Sequence, residues 1–422
     1  MNNFLFAGKA CGLKKNKDFD LGLMISKTPL NVSAVFTKNK VKAAPVIISK
    51  KNSKNIIKAL IVNSGNANAC NGKQGMEDAM KVVKSLAKEA GIDESSVFTC
   101  STGVIGERLN ASLIEKAIPE LVSSANNVDI KHKIDDKKIK NYKDNKDIKG
   151  KNGFDNFVKA IMTTDTFPKT SVKSFSIDGK EYQIKGAAKG SGMIMPDMAT
   201  MLAFIFTDVP LKKETADKIF KECAEESFNS ITVDGDTSTN DTAAFFYPAS
   251  DDPVIDLTGD KAKSKQNQNN CRIVKDALFE VCYELAKMIV IDGEGATKFI
   301  KVTVVNASAE AGAKKTALTV ANSPLFKTMI TGEDLNWGRI MAAVGRAGVP
   351  IKAESIDIYI NGKIIVENST ASKKLTKDIE KTVLSPKEID VKIDLKSGNK
   401  KRSVLTCNLT YGYIDINASY RS

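Results

Sequence analysis

Short apolar, β-branched runs alternate with helix-period segments along the whole chain, and that alternation confines it to layered mixtures of strand and helix. Val35-Phe36-Thr37 and Ala59 to Asn63 read as strands, the second running into the turn Ser64-Gly65-Asn66. Gly75 to Ala90 sets Met76, Met80, Val83 and Leu86 at helical spacing and stops at Gly91. Val97 to Thr99, Met198 to Phe206, Ile300 to Asn306 and Ile356 to Ile360 read as further strands. Met198 to Phe206 is apolar enough to be covered on both faces. Lys213 to Glu226 and Val274 to Ile291 read as helices, and Ser403 to Ile416 as a last strand interrupted at Gly412. Two polar stretches, Lys131 to Asn152 and Asp260 to Asn270, read as insertions outside the core.

With 422 residues, the chain can bury several packed layers. No apolar run approaches the ~20 residues that cross a bilayer, so no membrane contact is expected. The N-terminus lacks the basic residues of a signal or transit peptide, and the expected location is the cytoplasm. Seven cysteines without a Cys-x-x-Cys pair suit a reducing compartment and argue against a zinc site. The formal charge of +13 is mostly diffuse lysine, dense only from Lys131 to Lys151. That stretch interleaves Asp with Lys around a single aromatic, Tyr142, which favours a solvated surface over a nucleic-acid platform. There is one histidine, His132, inside the same stretch. Ser-His-Asp and Cys-His machinery therefore has no plausible base, and His-rich metal sites are excluded.

Small and polar residues with glycine cluster at several strand ends, where sites are usually built. These clusters are Asn63 to Gly72, Ser101 to Gly106, Met162 to Thr166, Lys189 to Met193, Val233 to Thr242 and Asp292 to Thr297. Asp234-Gly-Asp236-Thr-Ser238 begins like a calcium loop, but Thr239 and Phe245 stand where its glycine and glutamate belong. Lys189-Gly-Ser-Gly has its lysine at the wrong end for a phosphate loop.

The run Lys189-Gly-Ser-Gly-Met-Ile-Met-Pro-Asp-Met-Ala-Thr-Met-Leu202 is more specific. It resembles the signature of the glutamate N-acetyltransferase family, also called ornithine acetyltransferases, whose members are cleaved between the Ala and the Thr. The resemblance extends over essentially the whole chain, through Thr163-Thr-Asp-Thr166, Asp292-Gly-Glu-Gly-Ala-Thr-Lys298, Ser323-Pro-Leu and Asp334-Leu-Asn-Trp-Gly-Arg339 to Asn417. It implies a layered α/β fold with inner sheets and outer helices, made from an α chain of residues 1–199 and a β chain of residues 200–422. The two chains would pair and assemble as a heterotetramer.

The resemblance makes Thr200 the nucleophile, freed by self-cleavage at Ala199–Thr200. The chemistry is self-consistent, because the α-amine that cleavage creates has a reference pKa of roughly 7.7–8.0 and can take the proton from its own Oγ. Thr102 and Gly103 match the oxyanion hole. Thr163, Lys189, Thr200, Glu294, Asn417 and Ser422 match substrate-binding positions, although Ser422 stands where many relatives have Thr. The implied reaction is ping-pong transfer of acetyl from N-acetylornithine to glutamate, with no metal or organic cofactor. Acetyl-CoA is a co-substrate in some subtypes only. The nearest rival is an aminopeptidase or amidase that uses the same threonine but passes the acyl group to water. A basic nucleic-acid-binding protein has only the net charge in its favour.

Overall fold

The computed structural model describes residues 1–126, 153–195 and 201–419, with backbone alone at 260 and 261. The expected insertion at Lys131 to Asn152 lies outside the described residues, as do Ala199, Thr200 and Ser422. The chain forms two compact units. The first comprises residues 1–190, 197–229 and 237–288, and the second comprises 191–196, 230–236 and 289–422.

The first unit holds β1 (Phe4–Lys9), β2 (Leu21–Phe36), α1 (Ala44–Asn52), β3 (Ile57–Asn66), α2 (Gly72–Ala90), β4 (Val97–Val104) and α3 (Ala111–Asn126). It continues with α4 (Gly153–Ile161), β5 (Lys169–Ile177), β6 (Lys180–Lys189), β7 (Leu202–Thr207), α5 (Lys213–Glu226) and β8 (Thr242–Pro248). The helix α6 (Lys265–Ile291) follows, ending three residues past this unit. The eight strands form one mixed sheet in the order β4-β3-β2-β8-β7-β6-β5, with β1 paired to β2. The pairs β3–β4 and β7–β8 are parallel and the others antiparallel.

Period-two alternation sorts the side chains. Leu5, Leu21, Leu23, Ala59 and Ile61 face Ile48 of α1 and the apolar stripes of α2 and α3. Phe4, Phe6, Leu60, Phe204 and Phe206 point the other way, onto Phe154, Phe157 and Ile161 of α4. All of β7 is buried, so the apolar strand expected from sequence is present from Leu202. Its predicted first residues lie outside the described ones.

The second unit holds β9 (Phe299–Ala307), α7 (Glu310–Ala321), α8 (Pro324–Gly332), α9 (Gly338–Gly345), β10 (Asp357–Ile360), β11 (Lys363–Glu367) and β12 (Thr370–Ala371). It ends with α10 (Lys377–Thr382), β13 (Glu388–Asp394), β14 (Lys400–Cys407) and α11 (Tyr411–Ala418). Its six strands run β12-β11-β10-β13-β9-β14. Ile300, Val302 and Val304 of β9 and Ile389, Val391 and Ile393 of β13 pack on α7, α8 and α9.

Each unit is thus a mixed α/β assembly with its sheet flanked by helices. No described helix is long and apolar enough to cross a membrane.

Two sequence expectations are corrected. The final strand ends at Cys407, and Tyr411–Ala418 is helical, capped by Thr410, whose Oγ1 accepts from the Gly412 amide at 3.1 Å. The helix expected from Val274 begins instead at Lys265, and the Gln/Asn tract, mostly exposed and outside the core as expected, forms its first turns.

Phe157 is fully buried, with ring centroids 5.6 Å from Phe6 and 5.8 Å from Phe204. Phe157→Ala should cost about 3–5 kcal/mol in equilibrium urea unfolding. A loss under ~1 kcal/mol would mean that α4 does not cover the sheet as described.

Candidate active site

The expected oxyanion pair stands at the end of β4. Thr102 is buried, and Gly103 follows it in parallel register with Gly65 of β3. Gly103 has φ +133°, and a Cβ on it would lie 2.3 Å from the carbonyl carbon of Gly65. Only glycine lets the two backbones approach this closely and turns the strand end in this way.

The Asn-rich end of β3 and the turn after it brace the same strand end with side-chain amides. Asn63 accepts from Ser101 Oγ at 2.5 Å and donates to the Asn66 carbonyl at 2.9 Å. Asn66 in turn accepts from the Asn68 amide at 2.8 Å. These short polar side chains satisfy buried backbone groups that no ladder reaches.

Lys189 closes β6, is only 3% exposed, and donates from Nζ to Thr102 Oγ1 at 3.2 Å. In the β6–β7 ladder it faces Leu202, so Lys189 is fixed beside the strand that Thr200 leads into.

Thr163 joins this group through Asp165. One carboxyl oxygen of Asp165 accepts from the Thr163 amide at 2.9 Å. The other accepts from the Gly190 amide at 2.7 Å and from Lys169 Nζ at 2.6 Å. Burial alone would raise the Asp165 pKa, but the charges of Lys169 and Lys189 and the Gly190 amide outweigh it and hold the carboxyl below the usual range.

Sequence reading passed over Asp165 as part of a polar turn. The available signal was an acid four residues before Lys169 and next to a segment already expected to bind substrate.

In the second unit, Glu294 and Asn417 come together. Asn417 Nδ2 donates to Glu294 Oε2 at 2.9 Å and to the Tyr413 carbonyl at 3.0 Å. The Glu294 amide donates to the Ser191 carbonyl at 2.9 Å. A Cβ on Gly192 would sit 2.3 Å from Glu294 Oε2, so the Lys189-Gly-Ser-Gly turn needs glycine there to admit the carboxylate.

Asp234 holds the next residues of the same segment, accepting from the Met193 amide at 2.5 Å and the Ile194 amide at 2.9 Å. Tyr413 Oη donates to it at 3.3 Å. Burial raises the Asp234 pKa against the pull of those amides. Its role was not foreseen, because its loop resembled a failed calcium site.

Thr102, Gly103, Thr163 and Lys189 therefore belong to the first unit, and Glu294 and Asn417 to the second. Among the described residues, no group of His, Cys, Asp and Glu is arranged to hold a metal.

The side chains of Asp165 and Lys169 are wholly buried. Asp165→Asn would leave buried positive charge uncompensated and should cost about 3–5 kcal/mol. The double variant D165N/K169M should recover much of that loss in the same unfolding assay. Because the folded state depresses the Asp165 pKa, its stabilisation is present above the unfolded value of about 3.9 and is lost as pH falls through the folded value. A wild-type acid-unfolding curve matched by D165N would contradict this.

Residues 5–422 match the model of the ArgJ family. The chain is 40% identical to the arginine biosynthesis bifunctional protein ArgJ of Geobacter sulfurreducens, covering all of both chains. It is also 40% identical to the protein of the same name from Caldanaerobacter subterraneus subsp. tengcongensis, over 99% of this chain and 97% of that one. Among solved structures, the ArgJ protein of Bacillus halodurans aligns with 34% identity over 51% of this chain and 98% of its own, at a TM-score of 0.45. With a family model spanning nearly its whole length and relatives this similar end to end, the chain belongs to the ArgJ family.

Proposed function

We propose that this chain is an acyltransferase of arginine biosynthesis that cleaves itself between Ala199 and Thr200 and then carries acetyl on Thr200. The observation that carries the reading is the arrangement at the end of β4. A hydroxyl on Thr102 and the backbone amide of Gly103 stand at one strand end, with Lys189 bonded to that hydroxyl and facing Leu202. Two such donors suit a developing oxyanion, and one of them is worth roughly 2.7–4 kcal/mol.

In the first half-reaction, Thr200 Oγ attacks the acetyl carbonyl of N-acetylornithine and its proton passes to the Thr200 α-amine. Thr102 and Gly103 hold the oxyanion, and ornithine leaves with that proton. In the second half-reaction, the amine of glutamate attacks acetyl-Thr200 and departs as N-acetylglutamate. Lys189 suits a substrate carboxylate and Glu294 an ammonium group, with Asn417 fixing one Glu294 oxygen. Thr163 and Ser422 complete the substrate contacts in this reading. No metal or organic cofactor has a step in it. The two chains stay paired, two of each forming a heterotetramer in the cytoplasm.

Intact-mass measurement should find two chains split at Ala199–Thr200, and a single chain in Thr200→Ala. N-acetylornithine without glutamate should leave an acetyl adduct on the chain that begins at Thr200. Wild-type protein that remains one active chain would end this reading. Steady release of acetate at the full rate without glutamate would make the chain a hydrolase instead.

Glu294→Gln should lower kcat/KM for N-acetylornithine by about tenfold to a hundredfold, the scale of one charge-assisted hydrogen bond, while the melting temperature barely moves. An unchanged kcat/KM would remove Glu294 from the substrate contacts.

A further inference from the structure

Two buried polar side chains just before β8 have no part in the reaction above. Asn240 donates from Nδ2 to the Ala67 carbonyl at 2.6 Å and to the Ser101 carbonyl at 2.8 Å. It thereby ties the Asn-rich turn to the residue preceding Thr102. Its neighbour Asp241 accepts the Met201 amide on Oδ1 at 3.0 Å, and the Thr242 amide donates to the Met201 carbonyl at 3.1 Å. Residues 240–242 thus hold both the oxyanion strand and the residue that follows Thr200.

Asp241 is 1% exposed, and its Oδ2 has no hydrogen-bond partner among the described residues. Thr37 and the Ser238 backbone lie near enough to favour its charge, yet neither closes a hydrogen bond on that oxygen. A buried polar atom left unpaired costs about 1–3 kcal/mol, which calls for a partner that appears at some stage of function. The nitrogen of Thr200 is three bonds from the nitrogen of Met201. Covalent geometry alone keeps the two within roughly 2.7–3.7 Å.

We propose that Asp241 serves the self-cleavage step, gripping the Met201 amide through Oδ1 and offering an Oδ2 hydroxyl to the Thr200 nitrogen as the Ala199–Thr200 bond opens. The inference rests on the self-cleavage reading and adds a residue to it. An amide nitrogen is a poor acceptor while its lone pair is delocalised, and becomes a good one as the C–N bond breaks. The contact therefore forms where it lowers the barrier.

Burial supports the protonated form, pushing the carboxyl well above the usual range against the Met201 amide and the charge of Lys189. Lys189 is a charged group acting on it.

The step balances. Thr200 Oγ bonds to the Ala199 carbonyl carbon, the C–N bond breaks, and the Oγ proton ends on nitrogen. Asp241 keeps its own proton throughout, donating a hydrogen bond to that nitrogen, and stays neutral. Water then splits the ester, returning the hydroxyl to Thr200 and leaving a carboxylate on Ala199.

The test is a cleavage time course by intact mass on freshly expressed wild type, D241N, D241L and T200A, with thermal melts alongside. Asparagine keeps the acceptor for Met201 and a donor at the second position, so D241N should cleave within about tenfold of wild type. Leucine keeps the volume without either group, so D241L should be about a hundredfold slower or more. Wild-type cleavage should slow as pH rises through the raised carboxyl value, whereas D241N should lack that fall. D241N as slow as D241L with an unchanged melt would make the carboxylate the working form and overturn the proposal. D241L at the wild-type rate, or an alkaline fall retained in D241N, would overturn it as well. Should D241L fail to fold, the pH comparison between wild type and D241N decides alone. A wild type that never cleaves would instead defeat the nucleophile assignment of Thr200.

Discussion

Two buried ammonium groups, on Lys169 and Lys189, set the terms for the end of the β5–β6 hairpin in the first unit. Moving such charges out of water costs several kcal/mol each unless a counter-charge and hydrogen bonds replace the solvent. Asp165 supplies the carboxylate and spends its remaining acceptor capacity on the Thr163 and Gly190 amides. Lys169 opens β5 opposite Ala188, and Lys189 closes β6 one residue further on. The ion pair thereby fixes the mouth of the hairpin as well as neutralising it. That rigidity lets Lys189 meet the Thr102 hydroxyl from a different strand.

The same sheet bears on what self-cleavage can do. Strands β1 to β6 come from residues before Ala199, and β7 and β8 from residues after Thr200. Antiparallel ladders join β6 to β7 and β2 to β8 across that division. Cutting one peptide bond leaves both ladders intact, so the two chains cannot separate without opening the sheet. The compact units accordingly do not follow the division at 199/200.

Much of this was legible in sequence where one local rule governed one element. The stripe of α2, the alternation of β9 and the run of β7 each report a burial pattern that the structure uses. The segment after Cys407 was misread because Tyr411, Tyr413, Ile414 and Ile416 are apolar enough for a strand. No partner strand covers them, though, and Tyr411 is 86% exposed. The start of α6 was missed for the opposite reason, since an exposed first turn needs no apolar residue. Of the candidate residues, Thr102, Gly103 and Lys189 of the first unit and Glu294 of the second were reached through the resemblance to a family. Asp165, Asp234 and Asp241 were not, because an aspartate that caps a turn and one that holds a site look alike until the tertiary fold buries them.

Asp165 and Asp241 show how far that burial decides chemistry. Both carboxyls are buried in the first unit, and the charge of Lys189 acts on both. Asp165 gathers two amides and an ammonium on its two oxygens, and the charges of Lys169 and Lys189, with these amides, outweigh burial and keep it ionised. Asp241 accepts one amide on Oδ1 and no hydrogen bond on Oδ2 among the described residues, so desolvation prevails and the neutral acid is favoured. The difference lies in the charges and donors around each carboxyl, not residue type. Environments that drive two like groups apart in pKa let one serve as a fixed charge and the other as a holder of a proton. In a chain whose only histidine is His132, the proposed role of Asp241 in self-cleavage rests on such a division in place of an imidazole.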